Sequence, residues 1–230
     1  MEAIVLAGGF GTRLRAVVPN LPKPMAPVAG RPFLEILLAT LAENGFRRIV
    51  LSLGYMADSV VDHFGEQFAG MRLVHEVERT PLGTGGAVRQ ALRRCESDHV
   101  FVLNGDTYLD LEFAAVEAQW QRDHVPIIVA RAVPDTARYG RLKTAGSRVL
   151  GFVSKGVAGA GLINAGCYVL PREIEREFPA DEAFSLEADF LESAVARMPV
   201  HCFVSSGDFI DIGVPDDYER AQSELARVCR

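Results

Sequence analysis

Two cations stand close together near the start of the chain: Arg13 behind a glycine-rich turn and Lys23 between two prolines. The turn leaves an apolar strand at Leu6 and Ala7 and runs through Gly8, Gly9 and Gly11 to Thr12. Glycines let a backbone approach a ligand closely and expose consecutive N–H groups, which makes an anion-binding nest. Arginine suits forked contacts to phosphate oxygens, and lysine supplies a compact point charge. A nest with two cations just beyond it points to a nucleoside triphosphate. Far downstream, two carboxylates emerge from apolar segments. Asp106 follows Val100–Leu103 through Asn104 and Gly105, and Asp211 sits in Phe209-Ile210-Asp211-Ile212-Gly213. Carboxylates at strand ends can hold Mg²⁺, which prefers hard oxygen ligands. Without a triphosphate context, Asn-Gly-Asp is an ordinary turn.

Two other phosphate-binding patterns fail here. A Walker loop ends in Gly-Lys-Ser/Thr, whereas this turn reads Gly11-Thr12-Arg13. A dinucleotide fingerprint needs a third glycine, and Leu14 occupies that place. The whole string LAGGFGTRL followed by PKPMAPVAGRP instead resembles the signature of the sugar-1-phosphate nucleotidyltransferases.

The resemblance implies roles for particular residues. Arg13 would clamp the triphosphate and Lys23 would stabilise charge at the α-phosphorus, with Asp106 the third catalytic group. Asp106 and Asp211 match the family's two metal-binding aspartates. The Leu6–Gly8 backbone and the stretch Glu78 to Ala87, including Pro81, Gly83 and Thr84, would enclose the base. Glu78 falls where relatives place a base-reading polar group. A carboxylate only accepts hydrogen bonds. Guanine offers two adjacent donors, so Glu78 suits GTP, while uracil's single donor keeps UTP open. On the sugar-phosphate side the resemblance points to Asn104, Tyr139, Gly140, Lys155, Asn164 and Glu187. Ser154 and Gly156 flank that lysine where many relatives carry glutamate and proline.

The resemblance spans roughly Ala3 to Tyr218. With PLGTGGA, FSLE and FIDIGVPDDY it is most similar to the heptose 1-phosphate guanylyltransferase branch. It implies guanylyl transfer from GTP to a sugar 1-phosphate, D-glycero-α-D-manno-heptose 1-phosphate in this branch. A uridylyltransferase, or a guanylyltransferase for another sugar such as mannose or N-acetylmuramate, is the nearest alternative. A silent sugar-nucleotide sensor would be expected to lack the cations or aspartates, all present here. The missing third glycine disfavours a dehydrogenase.

The elements that must position these groups alternate through the first half, which implies a mainly parallel sheet covered on both faces. The pattern predicts strands at Ala3–Ala7, Arg48–Leu53, Arg72–Val77, His99–Leu103 and Pro126–Ala132. It predicts helices at Phe33–Asn44 with Pro32 leading, Ala57–Phe64, Gly86–Arg94 and Leu111–His124. A hairpin, Tyr139–Thr144 with Val149–Ser154, is expected to form a small sugar-facing lobe. Gly161–Leu170 and Val200–Val204 read as strands, and Leu186–Ala196 and Pro215–Arg227 as helices. The fold expected from the resemblance is a three-layer α/β, Rossmann-like nucleotidyltransferase domain without a C-terminal β-helix. One domain fits the chain: about 1–135 for the nucleotide, 136–214 for the sugar phosphate and 215–230 as a terminal helix. In such sheets ligands collect outside the carboxyl ends of the strands.

Composition narrows the partners. The 230 residues carry a formal charge of -6, against a nucleic-acid partner. The 49% apolar content suffices for a core. No apolar run approaches the roughly 20 residues that span a bilayer, and Met1-Glu2 leads straight into a strand, so a cytoplasmic protein without a signal peptide is expected. Cys95, Cys167, Cys202 and Cys229 lack paired spacing and read as free thiols. No histidine pair has metal-ligand spacing, so zinc is not expected. A monomer or small homo-oligomer is the expected state.

Overall fold

Val50 and Leu51 are neighbours in one strand, yet each is buried in a different core. The same alternation separates Ile4 from Ala3 and Val5, and Val102 from Phe101 and Leu103. Side chains in a strand alternate faces, so near-continuous apolar runs require cover on both sides. A computed structural model describes residues 1–15, 17–153 and 156–228.

The first half contains β1 (Glu2–Ala7), β2 (Pro27–Val28), β3 (Arg31–Pro32), α1 (Phe33–Glu43), β4 (Arg48–Leu53), α2 (Ala57–Phe64), β5 (Gln67–Phe68), β6 (Met71–Val77), α3 (Gly83–Leu92), β7 (His99–Asn104) and β8 (Thr107–Leu109). There follow α4 (Phe113–Asp123), β9 (Ile127–Val133), β10 (Arg141–Ala145), β11 (Arg148–Val153), β12 (Gly161–Pro171), a π-helical segment Leu186–Leu191, α5 (Glu192–Arg197), β13 (His201–Ser205), β14 (Phe209–Asp211) and α6 (Pro215–Glu224).

Among the described residues one ten-stranded sheet has the order β10-β11-β13-β9-β12-β7-β1-β4-β6-β5. The ladders joining β7, β1, β4 and β6 are parallel. β12 runs antiparallel to both β7 and β9, so the sheet as a whole is mixed. Helices α1, α2 and α4 pack one face, while α3, the π-helical segment and α5 pack the other. This is the three-layer arrangement. The hairpin expected around Tyr139–Gly161 forms as β10 and β11 and extends the main sheet at its edge.

A third, smaller core lies beside the carboxyl ends of the strands. Leu14, Val28, Phe33, Tyr108, Ile210, Ile212 and Tyr218 meet there. It gathers the glycine-rich loop, α1, the two-stranded β8–β14 ladder and α6. Cys95, Cys167 and Cys202 are free and buried. Burial pushes the Cys95 thiol up to about 12 and the Cys202 thiol to about 11, so neither is a ready nucleophile. Cys229 lies outside the described residues.

Helix starts depart modestly from expectation. Pro32 precedes α1 as its N-cap with extended backbone and is not its first residue. Helix α3 starts at Gly83, earlier than the expected Gly86. The amides of Gly85 and Gly86 donate to Phe184 O at 2.9 and 3.4 Å, so tertiary bonds offset the poor helix propensity of glycine. The helix expected over Leu186–Ala196 begins as one π-helical stretch before α5.

Candidate functional site

The parallel strands β1, β4 and β6 end in register, β7 ends one residue earlier, and the residue after each end opens the same cleft. Gly8 follows β1, Gly54 follows β4, Glu78 follows β6 and Gly105 follows β7. Backbone bonds lock the row: Tyr55 N to Gly8 O at 3.2 Å, Glu78 N to Leu53 O at 2.8 Å and Gly105 N to Leu6 O at 2.8 Å. The cleft encloses about 600 Å³, within the usual range of small-ligand sites.

The glycine-rich loop forms one wall. Leu6, Ala7, Gly8, Gly9, Gly11 and Thr12 all line the cleft. Arg13 also lines it, is exposed and makes no ion pair with the described residues, so its charge is available to a ligand. Gly11 has a φ of +58°, and a Cβ there would stand 2.9 Å from Lys23 Cβ. Only glycine lets the loop run along the lysine stem in that conformation.

Lys23 is held by a rigid turn. Lys23–Met25 is a short 3-10 turn with Pro22 as N-cap and Pro24 inside it; Pro24 and Met25 are buried. The prolines preset the backbone. The lysine ammonium pairs with Asp106 and lies 3.8 Å from Asp211 Oδ1. The two aspartates are brought together by pairing between β14 and β8, in which Asp211 faces Thr107. Ile212 N donates to Asp106 O at 3.0 Å, and Gly213 N donates to Asp211 Oδ1 at 2.7 Å. Burial, and then the neighbouring Asp106 charge, raise the Asp211 carboxyl above its usual range; Lys23 works against both.

These carboxylates fit a divalent cation. Two hard oxygen donors repel one another there, and a dication would relieve that repulsion. Among the described residues no cluster of three or more His, Cys, Asp or Glu side chains could hold a metal. Two protein carboxylates, with the remaining ligands from phosphate and water, are the donor set Mg²⁺ commonly accepts.

Glu78, Pro81, Gly83 and Thr84 also line the cleft. Glu78 also braces its own loop: Oε2 accepts from Leu82 N at 3.1 Å, and Oε1 lies 3.5 Å from Ser52 Oγ. Desolvation is the main reason that its carboxyl is raised above the usual range. Thr84 turns its hydroxyl to Glu187 Oε2 at 3.1 Å.

Of the expected sugar-side residues, Asn104 lines the cleft. Asn164 and Glu187 meet through Tyr168, at 2.7 and 2.6 Å. Tyr139 stands apart, its ring 6.2 Å from that of Phe209, and Gly140 adjoins it. Lys155 lies outside the described residues.

Sequence reasoning missed several lining residues: Phe10, Ser52, Gly54 and Tyr55. The Phe10 and Tyr55 rings are 5.8 Å apart, and the Arg15 guanidinium lies 4.7 Å from the Tyr55 ring centroid. Ser52 and Gly54 were within reach of the rule that ligands gather at the carboxyl ends of parallel strands. Phe10 and Tyr55 carried no such signal.

A model of the nucleotidyl transferase family matches residues 2–228. The chain belongs to that family. It is 38% identical over 226 residues to the D-glycero-alpha-D-manno-heptose 1-phosphate guanylyltransferase of Aneurinibacillus thermoaerophilus, covering 98% of each chain. The enzyme of the same name from Campylobacter jejuni is 34% identical over 219 residues, 95% of this chain and 97% of the relative. Among solved structures, HddC from Yersinia pseudotuberculosis, complexed with GMP-PN, superposes with a TM-score of 0.86 at 37% identity, covering 97% of this chain and 99% of that one. Among the described residues no appended β-helix follows the sheet. No helix in the described residues is long and apolar enough to cross a membrane.

Proposed function

We propose that this nucleotidyl transferase moves a guanylyl group from GTP to a sugar 1-phosphate, D-glycero-α-D-manno-heptose 1-phosphate, with release of pyrophosphate. The observation that carries the reaction class is the meeting of Lys23 with Asp106 and Asp211 at one end of the cleft. The choice of GTP and of the heptose rests on similarity to guanylyltransferases along the full chain.

An oxygen of the sugar phosphate attacks the α-phosphorus, and the bond from that phosphorus to the pyrophosphate oxygen breaks on the opposite side. A phosphate monoester is largely ionised near neutrality, so no strong base is required. Arg13 bears on the triphosphate, and Lys23 stabilises charge that grows around the α-phosphorus. Asp106 and Asp211 would hold Mg²⁺. Bound there, it would neutralise charge on the α-phosphate and the leaving pyrophosphate. Leu6 to Gly8, Glu78, Pro81 and Gly83 flank the base, with Glu78 offering guanine its acceptor oxygen. Asn104, Tyr139, Gly140, Asn164 and Glu187 serve the sugar phosphate, joined by Lys155. The chain works as one unit, with about 1–135 serving the nucleotide and 136–214 the sugar. Its use of a nucleoside triphosphate fits action in the cytoplasm.

The test is pyrophosphate release in Mg²⁺ from GTP and UTP, each paired with the 1-phosphates of the heptose, mannose and glucose. GTP with the heptose 1-phosphate is expected to give the highest kcat/KM. A higher value for UTP would remove guanine, and a higher value for another sugar would remove the heptose.

A further inference from the structure

Tyr168 lies in β12, fully buried among apolar side chains, yet its hydroxyl joins two sugar-side groups. Asn164 Nδ2 donates to Tyr168 Oη at 2.7 Å. Tyr168 Oη in turn donates to Glu187 Oε1 at 2.6 Å. Neither direction is free. A carboxylate can only accept, so the tyrosine proton goes to Glu187. Gly166 N donates to Asn164 Oδ1 at 3.0 Å, which fixes the amide with its nitrogen toward the tyrosine.

The second carboxylate oxygen is held from the nucleotide side. Thr84 Oγ1 accepts from Leu186 N at 2.9 Å, which leaves its proton for Glu187 Oε2 at 3.1 Å. Ser185 Oγ adds a longer contact to the same oxygen at 3.3 Å. Two of the positions that these bonds leave open lie side by side. Asn164 keeps one N–H, and Glu187 Oε1 keeps one lone pair. One phenolic oxygen separates them. A donor beside an acceptor matches two adjacent hydroxyls, one accepting and one donating.

We propose that Tyr168, assisted by Thr84, is a positioning residue for the sugar. It sets Asn164 and Glu187 as a donor–acceptor pair that recognises a vicinal diol on the ring of the sugar 1-phosphate. This rests on the reading above that Asn164 and Glu187 face the sugar. Burial, and then the nearby Glu187 charge, raise the Tyr168 hydroxyl well above the ordinary tyrosine value, so it stays a donor at working pH. Because Thr84, in the first turn of α3, lines the nucleotide cleft, the same carboxylate is tied to both substrates' sides.

The test uses the full chain and whichever sugar 1-phosphate the wild type turns over fastest in the panel above. A wrong sugar assignment therefore shows in the wild-type panel, and a wrong role for Tyr168 shows in the variants. Tyr168→Phe keeps the ring and removes the hydroxyl. Thr84→Val removes the other donor at similar shape, and Thr84→Ser restores it. Relative to the KM for the nucleotide, the KM for the sugar 1-phosphate is expected to rise about tenfold in Tyr168→Phe and in Thr84→Val, and to recover in Thr84→Ser. Preference for the sugar over its deoxy analogue at one diol position should also collapse in both. Equal changes in the two KM values, or an intact preference against the deoxy analogue, would overturn the proposal. If Tyr168→Phe does not fold, Thr84→Val decides by the same two readouts.

Discussion

Lys23 meets Asp106 across 83 positions of sequence and stands 3.8 Å from Asp211, so one ammonium serves two carboxylates that would otherwise repel. Removing it exposes that repulsion. Lys23→Ala should lower kcat by about 10²–10³, the scale for losing one preorganised charge-stabilising group. Its melting temperature should also rise more on adding Mg²⁺ than that of the wild type, because the cation takes over the neutralisation. Calorimetry with and without Mg²⁺ tests this; equal shifts in the two proteins would speak against the charge-balance account.

Asp211→Asn keeps the side-chain shape and its acceptor for the Gly213 amide. Half of the proposed metal-holding charge disappears. The Mg²⁺ concentration for half-maximal turnover should increase at least tenfold, whereas chelation should abolish turnover in wild type and variant alike. A titration of pyrophosphate release against Mg²⁺ reads the shift, and an unmoved midpoint would remove Asp211 from the metal site.

Glu78 carries a carboxyl raised mainly by burial. A raised acid binds its proton more tightly folded than unfolded, so wild-type stability falls as pH climbs from its ordinary value of 4.5 through the folded value. Glu78→Gln does not titrate and keeps an oxygen for the Leu82 amide. The stability of the variant relative to wild type should therefore grow across that window and then level off. Urea midpoints from pH 4 upward test the sign. In the same variant, kcat/KM for GTP should drop relative to UTP if the carboxylate reads guanine.

Gly54 passes so close to the first loop that an added Cβ would sit 2.7 Å from Gly8 O. The atom in the way is backbone, which cannot swing aside as a side chain would. Gly54→Ala should spread the row of strand ends and cost about 1–3 kcal/mol, the range for overpacking. The clearest sign would be loss of the thermal stabilisation by GTP in excess of the general destabilisation. Retained GTP stabilisation would mean that the contact does not shape the nucleotide wall.

Local patterns in the sequence exposed much of the frame. The strand Arg48–Leu53 and the helix Ala57–Phe64 have the bounds their patterning predicts, because each buries a clear apolar set next to breakers. What local patterns could not show were pairings between distant short segments. β8 and β14 are three residues each and have no periodicity of their own, yet their ladder is what places Asp211 beside Asp106. The glycines of α3 likewise argue against a helix until Phe184 supplies partners. In the site, Arg13, Lys23, Asp106 and Asp211 were legible because charges beside glycines and apolar runs stand out. Tyr168 was not, since a tyrosine in an apolar strand reads as core, and only its partners give its hydroxyl a task.

The placement of β12 also governs when the molecule can assemble. Among the described residues β9 finds its ladder partners only in β12 and β13, both made later, and β12 separates it from β7. During synthesis the strand Ile127–Val133 must therefore wait unpaired until residues beyond 160 emerge from the ribosome. Until then β7 presents an open apolar edge. A truncation after β9 should accordingly give insoluble protein, not a detachable half that binds nucleotide by itself.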